Sequence, residues 1–174
     1  MKKSAQKFDR TVQKLVDRLP IWLQPYMIFI TTLGQPIFTV GSSALVIGIG
    51  IGKNQDDLII AGSIAIITLN IATLLKLALR RKRPVTDYSE QMFFDTFSFP
   101  SGHAAGSLVS YGLLCHLLFL PGSMLLNAVG AIVAILIPCI GVSRVYLGAH
   151  YGSDIVGGWI IGAIGLVTLL AVAY

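Results

Sequence analysis

The sequence predicts an all-α fold, a polytopic bundle of membrane-spanning helices, on three observations. Hydrophobic residues make up 55% of the 174-residue chain and charged residues only 12%, about half the charge of ordinary soluble domains. Mean hydropathy is +0.78. No Asp, Glu, Lys or Arg occurs in residues 19–52, 58–75, 104–143 or 155–174. This composition excludes a soluble globular, a disordered and a fibrous protein. Cys115 and Cys139 lie far apart in apolar runs, outside any CxxC or Cys/His cluster. They read as small buried residues, not as a disulfide or a zinc site.

Residues 1–20 read as a basic amphipathic segment. Asp9, Arg10, Lys14, Asp17 and Arg18 interrupt any apolar core of a signal peptide. Phe8, Val12, Leu15, Val16 and Leu19 fall on one helical face, with Lys3, Lys7, Arg10, Lys14 and Arg18 around it. That pattern predicts a helix lying on the membrane surface. Residues 21–174 read as the transmembrane domain, each span needing about 20 mostly apolar residues.

The first uncharged window is broken by Gly34-Gln35-Pro36, which predicts a span from Pro36 to Gly52. An interfacial stretch carrying Trp22 and Tyr26 precedes it. The second window makes one span if it runs on to Leu79, and the last makes one more. The window 104–143 is too long for one span, and Pro121-Gly122-Ser123 divides it into helices 103–120 and 124–142. Five spans result, or six if residues 21–33 also enter the bilayer. The long connector 80–102 holds Arg80, Arg81, Lys82 and Arg83, then Asp87, Glu90 and Asp95 among Phe93, Phe94, Phe97 and Phe99. Its aromatics suit an anchor at headgroup level.

Alternation of the spans brings distant polar residues to one membrane face. Lys76 ends the second span, His103 begins the third, Ser143 and Arg144 close the fourth, and His150 and Asp154 open the fifth. Lys76, Arg83 and Arg144 are three cations able to surround one compact anion. Pro100-Ser101-Gly102-His103 stands at a helix start, where free backbone N–H groups favour an anion and Gly102 permits close approach. His150 and Asp154, four residues apart, share a helical face, so the carboxylate can hold one ring nitrogen and leave the other as nucleophile. His103 can protonate a leaving oxygen and later activate water. Each part also has a plainer reading. Arg80, Arg81 and Lys82 can snorkel to headgroups, and Asp154 can be only a helix N-terminal acid. His116, deep in the third span, reads as a packing residue.

Three blocks now stand in order: K-x6-R-P from Lys76 to Arg83-Pro84, P-S-G-H at residues 100–103, and S-R-x5-H-x3-D from Ser143 to Asp154. Together they resemble the signature of the type 2 phosphatidic acid phosphatase (PAP2) superfamily. The resemblance implies His150 as a nucleophile that forms phosphohistidine, Asp154 as its orienting group and His103 as general acid. It implies Lys76, Arg83, Ser101, Gly102 and Arg144 as phosphate ligands, with Pro84, Pro100 and Ser143 in support, and no metal or other cofactor. It implies a lipid phosphatase of a prokaryotic plasma membrane, acting on polyprenyl diphosphate, phosphatidylglycerol phosphate or phosphatidic acid. The partners are then the lipid substrate and membrane lipids; a net charge of +5 lends no support to nucleic acid.

Family members commonly have six spans, and here the first is replaced by the short N-terminal segment. The charge count favours a cytoplasmic site under the positive-inside rule, whereas many bacterial relatives act on the outer face; the sequence leaves the face open. A vanadate-dependent haloperoxidase shares the anion pocket but is soluble. A phosphate-lipid binder or transporter would need the cations without the full His103, His150 and Asp154 set.

Overall fold

The uncharged windows fold as helices whose ends lie where charge, proline or glycine interrupts them. The chain is described by a computed structural model covering residues 2–90 and 97–174. Phe93, Phe94 and Asp95 of the connector lie outside the described residues. After α1 (Lys2–Val16) and a 3₁₀ turn at Ile21–Leu23 come α2 (Gln24–Leu33), α3 (Pro36–Lys53) and α4 (Asp56–Leu79). A single turn, α5 (Asp87–Glu90), stands in the connector. The third span, Gly102–Phe119, is continuous: α6 (Gly102–Gly106), a π-helical turn at Ser107–Tyr111, and α7 (Gly112–Phe119). The bundle closes with α8 (Met124–Tyr146) and α9 (Gly152–Ala173).

Among the described residues, five helical stretches are long and apolar enough to cross a membrane, as the hydropathy predicts. The first, Ile21–Lys53, includes α2, α3 and the break between them. With 10 residues, α2 is too short to span by itself. It packs against α8 and leaves Trp22 and Tyr26 exposed at its start. Local chemistry explains the other boundaries. Pro36 opens α3 at a position where no N–H is needed, and Asn54 ends it in the left-handed conformation. Asp56 and Asp57 place negative charge in the first turn of α4.

Two contrasting surfaces organise the bundle. Val46, Ala61, Ala65, Val109, Leu113 and Leu169 form its buried core, while Leu45, Ile67, Leu74, Ile132, Ile164 and Val167 face outward, as lipid contact requires. Small residues let α9 approach α6 closely. A Cβ at Gly158 would stand 2.5 Å from the Ser101 carbonyl oxygen and 2.9 Å from the Ala104 Cβ. Gly158→Ala is therefore expected to destabilise the bundle by about 1–3 kcal/mol through overpacking. A melting midpoint in detergent equal to wild type would contradict that close contact.

The N-terminal helix departs from a simple surface-lying helix. Val16 is buried against Ala104, Val145 and Ile155, and Val12 and Leu19 pack on the same cluster. Phe8 and Leu15 remain exposed. The apolar stripe is thus divided, one edge on the ends of α8 and α9 and the other outward. Its inward edge fits because Gly152 leaves room: a Cβ there would lie 3.0 Å from Val12. The N-terminal charges consequently stay at the end of the bundle that carries His150.

Candidate active site

The turn between α8 and α9 is the centre of the site. The Leu147 amide donates to the Ser143 carbonyl (3.0 Å), and the Ala149 and His150 amides both donate to that of Arg144 (3.0 and 3.2 Å). These bonds satisfy the last carbonyls of α8 and turn the chain back. Gly148 has φ +68°, and a Cβ there would also meet Thr86 at 2.6 Å, so the turn requires glycine. The Thr86 hydroxyl closes the turn by donating to the Gly148 carbonyl (3.1 Å). His150 is left at its base, 1% exposed.

His150 lies between an arginine and a carboxylate. Arg83 Nη1 is 3.1 Å from His150 Nε2 and 2.9 Å from the Ala149 carbonyl oxygen. A guanidinium only donates, so Nε2 must present its lone pair and the ring proton sits on Nδ1. Asp154 Oδ2 lies 3.4 Å from that Nδ1 and accepts from the Tyr151 amide at 2.9 Å. Asp154 therefore caps α9 and faces the imidazole at once. The Ser98 backbone carbonyl also accepts from the ring. Burial first, then the positive charges of Arg144, Arg83 and Lys76, push the His150 imidazole well below its ordinary value of 6.5. The ring is neutral at pH 7.

The other residues nominated from the sequence surround this pair. Arg144 is 2% exposed and donates through Nη1 to Thr31 Oγ1 at 2.9 Å. Its guanidinium carbon lies 5.9 Å from the centre of the Tyr88 ring. The Lys76 ammonium would be 3.9 Å from a Cβ on Gly102, so it stands over the start of α6. His103, in the first turn of α6, is within electrostatic range of Arg144, His150, Lys76 and Arg83. Its ring edge fills the space that a Cβ on Gly34 would enter, 3.0 Å away.

Ser101 and Ser143 hold backbone in place. Ser101 Oγ accepts from the Ala104 amide at 3.4 Å, and the Ser101 amide donates to the Asp154 carbonyl at 3.0 Å. The Ser101 side chain thus caps α6, while its amide ties the start of that helix to α9. Ser143 Oγ donates to the Ile140 carbonyl at 2.7 Å. Pro84 offers its carbonyl to Ser89 Oγ (2.7 Å), which steadies the connector beside Arg83. Pro100 is buried just ahead of Ser101. His116 lies apart, its ring 4.5 Å from that of Tyr174 at the other end of the bundle.

The family model described as the PAP2 superfamily matches residues 57–174. The chain belongs to that superfamily. Phosphatidylglycerophosphatase B of Bacillus subtilis is 31% identical, across 91% of this chain and 80% of the relative. Decaprenylphosphoryl-5-phosphoribose phosphatase of Mycobacterium tuberculosis is 32% identical, across 69% of this chain and 63% of the relative. The crystal structure of the Bacillus subtilis transmembrane PAP2-type phosphatidylglycerolphosphate phosphatase superposes with a TM-score of 0.72 at 26% identity, covering 97% of this chain and 85% of that one. Aquifex aeolicus LpxE shares the fold, with a TM-score of 0.69 over 93% of each chain.

In this PAP2-type phosphatase, residues outside the three motif blocks also contact the candidate site. Arg81, read from the sequence as a residue able to snorkel, donates from Nη1 to Asp154 Oδ1 at 2.6 Å. Thr31 and Gly34 bring the end of α2 against Arg144 and His103. Nothing in the spacing of residues 24–34 marks them as site residues, because they reach it only through packing. Tyr88 reaches Arg144 from α5, also without a local signal. Among the described residues, no three His, Cys, Asp or Glu side chains are grouped closely enough to hold a metal ion.

Proposed function

We propose that this PAP2 phosphatase hydrolyses a phosphate or diphosphate monoester of a membrane lipid through a phosphohistidine on His150. The observation that carries the reading is the fixed tautomer of His150, with its Nε2 lone pair directed at Arg83. When a phosphoryl group enters, Arg83 Nη1 exchanges Nε2 for a phosphoryl oxygen. Arg144, Lys76 and the Gly102 and His103 amides bind the other oxygens. Nε2 then attacks phosphorus; the N–P bond forms as the bond to the lipid oxygen breaks. His103 gives its proton to the leaving lipid oxygen, and Asp154 stabilises the imidazole as it gains positive charge. In the second half His103 takes a proton from water, whose oxygen attacks phosphorus. The N–P bond breaks, inorganic phosphate leaves and His150 returns neutral.

Two features support a lipid substrate. The site lies at one end of a bundle whose flanks are apolar, so an embedded headgroup can reach it from the bilayer. A groove of about 480 Å³ opens beside it, lined by Val16, Leu19, Ile21, Leu147, Tyr88 and Tyr146 together with the polar Asp17 and Gln24. Tyr88 forms a wall shared with Arg144, so a phosphate on Arg144 can direct its lipid portion into the groove. The names of the relatives support phosphatidylglycerol phosphate and polyprenyl-linked phosphates as first candidates, with polyprenyl diphosphate and phosphatidic acid beside them. The plasma membrane of a prokaryote is where these lipids would be met.

The test is phosphate release by purified protein in detergent with EDTA. The panel holds phosphatidylglycerol phosphate, polyprenyl diphosphate, phosphatidic acid and a water-soluble phosphate ester, each beside His150→Ala. His150-dependent release ranked by lipid supports the reading; binding without release from any lipid would replace it with a binder or transporter. The depressed pKa of His150 adds a pH test. Neutral His150 is the active form, so rate is lost as falling pH protonates it. With the substrate phosphate's own ionisation near pH 6 corrected for, the acidic limb of kcat/KM should be centred below 6.5. A limb centred above that value would contradict a buried imidazole facing three cations.

A further inference from the structure

Asp154 accepts more than the Tyr151 amide and the His150 ring proton. Its second oxygen, Oδ1, is taken by Arg81 Nη1 at 2.6 Å. The other terminal nitrogen of that guanidinium, Nη2, donates to Asp9 Oδ2 at 2.7 Å. Asp9 belongs to α1 and is 7% exposed, although the helix around it is largely solvent- or lipid-facing. Its remaining oxygen accepts from the Ser153 amide at 2.8 Å, the residue preceding Asp154. Arg81 Nη1 also donates to Ser153 Oγ at 2.6 Å, and its guanidinium lies 4.2 Å from the centre of the Tyr151 ring. The arginine is further fixed through its backbone, whose carbonyl accepts from the Ser98 amide at 2.7 Å. A planar fork stacked against one ring and bonded at both ends has little freedom to turn, and it transmits the position of one carboxylate to the other.

From this geometry we infer that Asp9 and Arg81 are positioning residues for the reaction: they form an ion-pair chain that runs from the N-terminal helix to Asp154 and holds its carboxylate against His150. The inference rests on Asp154 acting through His150 as proposed above. Without Arg81, Oδ1 loses its strongest donor, and the carboxylate can rotate to share both oxygens among Tyr151, Ser98 and the ring. The His150 contact, at 3.4 Å already the longest in the set, is the one such rotation changes most. Asp9 acts one step further away, by holding the guanidinium in the plane that reaches Oδ1. Neither residue is among the groups proposed to hold the phosphoryl oxygens, so the rate of the chemical step should change while substrate binding does not.

The experiment measures kcat and KM for Arg81→Gln, Asp9→Asn, their double variant and Arg81→Lys, on the panel lipid that wild type turns over fastest. Asp154→Asn serves as reference, and each variant's melting midpoint in detergent is recorded. Arg81→Gln is expected to lower kcat about 10- to 100-fold, the usual range for partners that orient a reactive group, with KM within about threefold. Asp9→Asn is expected to lower kcat about three- to tenfold, as one partly buried ion pair allows. Because Asp9 acts through Arg81, the double variant should match Arg81→Gln within about twofold, where independent effects would multiply. Arg81→Lys keeps a charge on one carboxylate but cannot bridge two, so its loss should be smaller than that of Arg81→Gln.

Unchanged kcat in both single variants, a loss confined to KM, or multiplying losses in the double variant would overturn the inference. If Arg81→Gln does not fold, Asp9→Asn and Arg81→Lys, both close in size to the native residues, carry the same comparison. An unchanged kcat in Asp154→Asn would overturn the role of Asp154 itself, and the chain with it. A lowered kcat there with wild-type rates in the Asp9 and Arg81 variants would overturn the chain alone.

Discussion

His150→Ala is expected to bring phosphate release down to the rate of protein-free detergent, a loss of about 10⁴-fold or more. Removing this ring removes the attacking atom itself, so Arg83, Arg144 and Lys76 have a bound phosphoryl group but nothing to transfer it to. Binding should survive, because those three cations are untouched. The variant should also fold: the turn that holds position 150 is closed by backbone bonds to Arg144 and by Gly148, none of which uses the imidazole. Two readouts together check the expectation. Steady-state release gives the rate, and alkaline quenching of wild type with labelled substrate should trap protein-bound phosphate that is stable in base and lost in acid. That label should be absent from His150→Ala. Turnover within tenfold of wild type in a folded variant would remove His150 from the reaction.

His103→Ala is the second large effect, and its size should depend on the leaving group. For an alkyl lipid alcohol, departure without a proton is slow, and loss of the general acid lowers the rate by about 10²–10⁴-fold. A p-nitrophenyl ester leaves without help. In that case the first step should proceed, giving a burst of nitrophenolate close to one equivalent per enzyme. The slow phase that follows reflects water attacking phosphohistidine without a base. Equal losses on the two leaving groups, with no burst, would show that His103 does not transfer the proton. His103 stands in the first turn of α6, within electrostatic range of His150.

Several parts of this architecture are legible residue by residue. The charge-free windows mark the spans because a charged side chain within a bilayer is costly wherever it has no partner. Pro121-Gly122 ends a helix whatever surrounds it, and Gly122 does sit at φ +67°. Lys76, His103, Arg144 and His150 could be brought together on paper because a spanning helix has only two ends. The motif blocks add the expected chemistry, since each places its polar residues within a few positions of a span end.

What the sequence by itself determined is therefore the class of fold and which span ends meet, since both follow from short-range polarity and the thickness of a bilayer; it left five spans or six open. Only the tertiary structure decided how α1 and α2 are used. Phe8, Val12, Leu15, Val16 and Leu19 form one stripe in sequence, yet Val12 and Val16 turn inward while Phe8 and Leu15 stay exposed. Asp9 sits about 20° from Val16 around the helix, on that inward edge, so an acid beside the apolar stripe was the one visible trace of the ion-pair chain. Its partner, Arg81, is 72 residues away and looks like any membrane-surface cation until the fold sets it against Asp154. Thr31 and Gly34 likewise gain their roles from the angle at which α2 crosses α8. Polarity is read along the chain, but the pairing of one charge with another depends on where rigid helices dock, and that is settled by packing.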